Sequence, residues 1–276
     1  MNTSVADLNM KDGAKKTNNG NYRIEYMRIS TKDMFPHPIA QREFIPEHAH
    51  KIAKDFSWDR YSPVDVSFRD GRYWVIDGQH RIAAIRERFG GDCVILARVR
   101  RGMTIVDEAM FFVNQDKGRK TIKYNDKISV KYRIGDEDVV DAVRCAALAG
   151  WRMDEFSKTY SKGRLTAHAT IMKLYKRIDR EQFIDLLKVL YEAWDGDPRG
   201  ACREILNGME RFYKMYWGEF DGKILAKKLS KLSPEAIVRD GRSANIRSNE
   251  NGLPFARAIL RQYNYGARKN VLPDRF

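Results

Sequence analysis

The sequence predicts an α+β fold in which a small mixed module is followed by an all-helical half. Three observations carry this expectation. Strand-like alternation and helical spacing interleave between about Tyr22 and Lys120, and strand signals fade beyond about Asn125. The 276 residues are 43% hydrophobic and 11% aromatic, enough to fill packed cores. The expected organisation is a polar tail over residues 1–21, a mixed domain over 22–124 and a helical domain over 125–276.

The tail is rich in Asn, Lys and Gly and has no periodicity. Tyr22–Ile29 then reads as a strand. Pro46 opens a helix through Phe56, with Ile45, Ala49, Ile52, Ala53 and Phe56 at helical spacing. Val64, Val66 and Phe68 alternate as a half-buried strand should, Asp70-Gly71 makes a hairpin turn, and Tyr73–Ile76 is the returning strand. Asp77-Gly78-Gln79-His80-Arg81 follows at once, leading into a helix marked by Ile82, Ile85 and Phe89 and stopped by Gly90-Gly91. Cys93–Val99 is a further strand. Thr104 caps a helix over Ile105–Asn114, with Asp107 and Glu108 placed favourably against its dipole.

In the second half, segments 136–149, 166–177, 180–194, 200–217, 222–231, 233–240 and 253–266 read as helices. Phe183, Leu186, Leu187, Leu190 and Tyr191 give the clearest amphipathic stripe. Ser233 suits an N-cap, Pro234 the first helical position and Gly241 the C-terminal cap. Residues 222–242 are therefore compatible with a helix-turn-helix whose second helix offers Arg239 and Arg242 to DNA. An ordinary helical hairpin is the alternative reading.

Composition narrows the function classes. Lys and Arg number 51 against 37 Asp and Glu, giving +14 and a pI near 9.6, which favours polyanionic partners and nucleic acid above all. The excess is clustered: nine against four over 98–131, seven against one over 158–180, and twelve against five over 221–276. Tyr160, Tyr175, Tyr263 and Tyr265 lie near these clusters, as a DNA backbone track would use. Cys93, Cys145 and Cys202 are far apart, which argues against a disulfide framework or a zinc ribbon. His48 and His50 stand two apart on one helix and point to different faces, and no HExxH or clustered carboxylate pair occurs, so no metal site is expected. No apolar run reaches spanning length and no secretory signal opens the chain, so a soluble cytoplasmic protein without membrane contact is expected.

The segment Gly71–Glu87, GRYWVIDGQHRIAAIRE, is the most specific feature of the chain. It reads as strand, tight glycine turn and first helical turn. Such a helix start binds anions because its backbone donors are unpaired and its dipole end is positive. Gly78 would admit a phosphate close to the backbone, Arg81 would supply a forked, permanently charged clamp, and His80 a second donor. A helix cap with solvated charges is the plainer reading. Asp77 in turn suits either a metal or His80, or simply the turn N–H groups.

These residues carry a family resemblance. The run from about Arg28 to Ile122 resembles the N-terminal domain of ParB-type proteins, the ParB/sulfiredoxin fold, over roughly a third of the chain. The matching stretches are His37-Pro38-Ile39-Ala40-Gln41-Arg42, Pro63-Val64-Asp65-Val66, Asp77-Gly78-Gln79-His80-Arg81 and Val113-Asn114-Gln115-Asp116-Lys117-Gly118-Arg119. The spelling DGQHR is closest to the phage and plasmid branch. The resemblance implies that Gly78, Gln79, His80 and Arg81 grip the phosphates of CTP or ATP. It further implies that Gln41 and Arg42 line the same pocket, and that Asn114 and Arg119 belong to the later box.

Two departures accompany the resemblance. Relatives use an acidic residue near Mg2+ where this chain has Val113, which bears on metal-dependent triphosphate handling. Sulfiredoxins carry a catalytic cysteine in the turn where this chain has Gln79, which argues against sulfinic-acid reduction. The leading expectation is a ParB-like DNA-binding protein with a nucleotide-binding turn, and a homodimer is a further expectation. The alternatives are a ParB-like nuclease or nucleoside triphosphatase, with Asp77, His80 and Asn114 nearest the chemistry, and a regulator or host-factor-binding protein that reuses the fold as a scaffold.

Overall fold

A computed structural model describes residues 22–41, 43–114, 123–153, 156, 160–243 and 252–276. It is an α+β structure, with a five-stranded mixed sheet and eleven α-helices among the described residues. The chain divides into two compact units, the second beginning at Lys123.

In the first unit, β1 (Arg23–Ser30), β2 (Met34–Pro36), β3 (Val64–Arg69), β4 (Arg72–Asp77) and β5 (Val94–Arg101) form a sheet of order β1-β5-β3-β4-β2. β3 and β4 are the antiparallel hairpin expected from Asp70-Gly71, whereas β5 lies parallel to β3 and antiparallel to β1. α1 (Pro46–Lys54) packs against α2 (Gln79–Phe89), and α3 (Ile105–Val113) follows β5. One sheet face is apolar: Val64, Val66, Val75, Ile95, Ala97 and Val99 pack with Ile82 and Ile85 of α2. Removing such side chains from water is the main force holding the unit together.

The opposite face buries charge. Asp65 lies between Val64 and Val66, so strand alternation turns it away from the apolar core. Its carboxylate accepts two hydrogen bonds from Arg98, at 2.6 and 2.7 Å, and one from Arg100. Arg100 also lies 4.1 Å from the Phe111 ring centre. Burial pushes the Asp65 carboxyl up, but the arginine hydrogen bonds and charges outweigh it and hold the group below the usual carboxylate range.

The second unit contains α4 (Tyr124–Arg133), α5 (Glu137–Leu148), α6 (His168–Tyr175), α7 (Arg180–Trp194), α8 (Arg203–Tyr216), α9 (Gly222–Leu229), α10 (Pro234–Ser243) and α11 (Leu253–Asn264). Trp151, Phe183, Phe212, Tyr213 and Tyr216 are among its largest fully buried side chains, and the Trp151 indole donates to the Leu187 carbonyl at 2.8 Å. No helix among the described residues is long and apolar enough to cross a membrane.

Three local expectations change. α4 was not expected as a helix, because only Ile128 and Val130 of its polar sequence are buried and its stripe is correspondingly faint. β2 is three residues long, too short to show alternation. Gly241 does not cap α10 but lies within it, where the Phe255 ring of α11 occupies the space a Cβ would need. The expected caps at Ser233 and Thr104 are both present, with Ser233 Oγ accepting from the Ala236 N–H and Thr104 Oγ from the Asp107 N–H, each at 3.2 Å.

Candidate functional site

β4 ends at Asp77 and α2 begins at Gln79, so Gly78 makes the whole connection. Its φ of +107° lies in the left-handed region, where any side chain is strained, and a Cβ there would stand 2.6 Å from Val64 Cγ1. The glycine thus brings the first turn of α2 directly against the sheet. That turn borders a cavity of about 380 Å3, lined by Gln41, Asp77, Gly78, Gln79, His80 and Arg81 together with His48, Arg60 and Phe112.

Arg81 reaches this cavity with its guanidinium already held. Nη2 donates to Asp77 Oδ2 at 2.6 Å, while Nη1 donates to the Pro63 carbonyl at 3.2 Å and to that of Ser62. The pairing fixes the fork and partly neutralises its charge. Asp77, the last residue of β4, acts here as the partner of Arg81 in the first turn of α2. His80 is also positioned: its Nε2 accepts the Ile45 N–H at 3.1 Å, and its ring stacks on Phe44 at 5.1 Å and meets His48 at 4.8 Å. An Nε2 that accepts puts the ring proton on Nδ1. The start of α1 is thereby tied to the start of α2.

The chain ahead of α1 is fixed by a buried network that sequence reasoning missed. His37 Nδ1 accepts the N–H groups of Ile39 and Ala40, at 3.1 and 2.7 Å, which leaves its proton on Nε2 to be donated to Glu108 at 2.8 Å. Glu108 also accepts from Arg69 Nε at 3.1 Å. Burial pushes the Glu108 carboxyl up, yet the bonds from His37 and Arg69 outweigh it and hold the group below its ordinary range. Glu108 is therefore an anchor in the interior of the unit as well as a first-turn acid of α3. The anchored turn delivers Gln41, whose Nε2 donates to the Val75 carbonyl at 2.6 Å beside the cavity.

The expected residues do not all converge. Gln41, Asp77, Gly78, Gln79, His80 and Arg81 border the cavity, whereas Asn114 is the exposed C-cap of α3 and is not among its lining residues. Val113, next to it, is buried. Arg42 and Arg119 lie outside the described residues. His48, Arg60 and Phe44 join the site without having been singled out as binding residues. Arg60 is held by a two-pronged pair with Asp55, at 2.9 and 3.1 Å. Only the α1 spacing, which puts His48 one turn before Ile52, could have pointed to any of them.

Arg239 and Arg242 lie on α10 in the second unit, in a shallow groove with Tyr160, Arg199 and Glu235. Arg242 donates to Glu204 at 2.6 Å, and Arg199 pairs with Asp197 and Glu235. α10 packs chiefly on α11.

Comparison with solved structures gives distant likenesses. The C-terminally truncated chromosome-partitioning protein ParB from Caulobacter crescentus, complexed with CTP-gamma-S, is 12% identical, with 78% of this chain and 97% of that chain covered at a TM-score of 0.28. Two structures of a pNOB8-like ParB N-domain are each 12% identical. In one, 87% of this chain and 99% of that chain are covered at a TM-score of 0.36, and in the other 90% and 97% at 0.37. No curated protein matches the chain significantly. A family model does match, over residues 35–276 and so over most of the sequence. The chain accordingly belongs to the family of unknown function DUF6551.

Proposed function

We propose that this protein is a ParB-like DNA-binding protein whose β4–Gly78–α2 turn binds the phosphate groups of a nucleotide, CTP or ATP by its motif. The observation that carries the reading is the Asp77-Gly78-Gln79-His80-Arg81 turn opening onto a cavity of about 380 Å3. That size suits a small-molecule ligand. The first turn of α2 brings the positive end of the helix dipole and backbone donors to the cavity, and Gly78 has no side chain to keep a phosphate away. Arg81 adds a fork fixed by Asp77 and two carbonyls, so little side-chain freedom is lost on binding. Gln41, His48 and Arg60 surround the remaining space.

The DNA part of the reading rests on the net charge of +14 and its clustering. Catalysis is not favoured by any particular contact. Asp77 is engaged by Arg81, His80 Nε2 by the Ile45 N–H, and Asn114 does not border the cavity.

The test is equilibrium binding of CTP, ATP and GTP to the wild type and to Arg81→Ala, with and without Mg2+ and duplex DNA, with circular dichroism to verify folding. The expected result is saturable, selective binding that the substitution weakens at least about tenfold, a loss of about 1.4 kcal/mol. Undiminished affinity in a folded Arg81→Ala protein would remove Arg81 as the clamp, and absence of binding by the wild type would remove the nucleotide reading.

A further inference from the structure

We infer that the groove between α6 and α8 is the surface on which the helical unit holds the phosphate backbone of duplex DNA. The inference rests on the DNA-binding reading above and gives it a location away from Arg239 and Arg242. The groove encloses about 590 Å3. α6 and the residues just after it contribute Thr170, Lys173 and Arg177, and α8 contributes Arg203, Asn207 and Lys214. Steps of four and seven residues keep Arg203, Asn207 and Lys214 on one face of α8, while Thr170 and Lys173 stand three apart on α6 with Arg177 just beyond its end, so two stripes confront each other along the groove.

The groove gathers exposed cations around a single acidic side chain. Lys173, Arg177, Arg203 and Lys214 are all exposed, the half-buried Arg211 lines the groove with them, and the acidic side chain of the lining is Glu210. Glu210 is 9% exposed and sits 2.7 Å from Lys214 and 3.5 Å from Arg177, so it positions two of the cations without neutralising the set. Lys173 and Arg203 make no ion pair among the described residues. By contrast, Arg180 pairs with Asp141, Lys176 with Asp138, Arg242 with Glu204, Arg261 with Asp240 and Arg275 with Glu219. Five cations drawn together around one acidic side chain repel one another, and an added anion relieves that repulsion.

The shape points to an extended anion. From Arg203 to Lys214 the α8 stripe runs about 16 Å at 1.5 Å per residue. A DNA strand carries one charge per ~3.4 Å of axis, so a stripe of this length meets several consecutive phosphates. Arginine forks suit phosphate oxygens, and Asn207 and Thr170 add neutral hydrogen-bonding groups of the kind that contact DNA backbones. Phe276, the aromatic residue of the groove, packs at right angles to Tyr216 with ring centres 5.5 Å apart. Contacts to phosphates alone position a duplex without reading its sequence.

The experiment measures duplex affinity of the full chain across a salt series, for the wild type, the double variant Lys173→Ala/Arg203→Ala, and Arg81→Ala. Each lost phosphate contact removes about 0.9 from the slope of log affinity against log salt. The double variant is expected to bind duplex at least tenfold more weakly at low salt, on every sequence alike, with the slope reduced by about 2. Its nucleotide affinity, measured with CTP and ATP, is expected to remain that of the wild type. Wild-type slope and affinity in the double variant would overturn the groove while leaving DNA binding intact. Loss of free nucleotide or pyrophosphate binding with DNA binding unchanged would overturn it in favour of a small anion. No duplex binding by the wild type at any salt concentration would overturn the underlying reading and the groove with it.

Discussion

Replacing Gly78 with alanine is expected to destabilise the sheet-containing unit by about 2–5 kcal/mol, and the structure allows that figure to be built in parts. A non-glycine residue in the left-handed region costs about 1–2 kcal/mol, and φ at this position is +107°. The new Cβ would also lie 2.6 Å from Val64 Cγ1, and Val64 is fully buried in the sheet core with no room to retreat. Overpacking of that kind costs about 1–3 kcal/mol. Gly71 provides the control, since its φ is +73° but a Cβ there meets nothing within 4 Å. Gly71→Ala should therefore show only the conformational part. Hydrogen exchange at increasing urea concentrations, read by mass spectrometry, follows the two units separately and gives the loss for each variant. If Gly78→Ala and Gly71→Ala proved equally stable, the close approach of the turn to Val64 would be wrong, and with it the reason a glycine stands there.

Further outcomes follow from the buried charges. Asp65 and Glu108 both titrate below their ordinary values of 3.8 and 4.5, so each contributes stability that is present above those values and lost as pH falls through the lower folded ones. The urea midpoint of this unit is expected to hold from pH 7 to 5 and to fall below about pH 4.5, with a shallower acid limb in Asp65→Asn; parallel limbs would remove Asp65 from the explanation. Glu108→Ala leaves the buried His37 Nε2–H without its acceptor and takes from Arg69 one of its two carboxylate partners, Asp70 remaining, and should lower stability by about 2–4 kcal/mol in chemical denaturation. A loss under about 1 kcal/mol would mean that the network does not anchor the 37–41 turn.

The legible parts of this fold are those where local pattern and tertiary role agree. Val64, Val66 and Phe68 alternate because one sheet face meets α2, although β3 is not the half-buried strand expected, since Asp65 and Ser67 on its other face are fully buried too; Asp70-Gly71 turns the hairpin by its own backbone preference. Thr104 and Ser233 announce helix starts because capping is a local hydrogen bond. β2 escapes notice because its three residues are held by parallel pairing to β4, a partner some forty positions away. Gly241 misleads because the signature of a helix end is the same as that of a close helix–helix approach; only the position of Phe255 separates the two.

The site divides along the same line. Asp77, Gly78 and Arg81 are adjacent in sequence and announce themselves, whereas His48 and Arg60 arrive through the packing of α1 and the chain that follows it. Glu108 reads as a dipole-favoured first-turn acid, yet its carboxylate turns inward to His37, 71 residues away. Basic clusters were visible in the sequence, but the pairing of one set of arginines and the crowding of another depend on which acidic side chains face them. That distinction appears only once α6 and α8 lie side by side.

The most direct measurement of the central claim is the backbone amide spectrum of isotopically labelled protein during titration with CTP and ATP. A phosphate held at the turn must receive hydrogen bonds from the first N–H groups of α2. The expected result is large downfield shifts of the Gly78, Gln79, His80 and Arg81 amide protons that saturate together with binding and are attenuated in Arg81→Ala. Saturating binding that leaves those four amides unmoved, or shifts confined to the helical unit, would contradict the account.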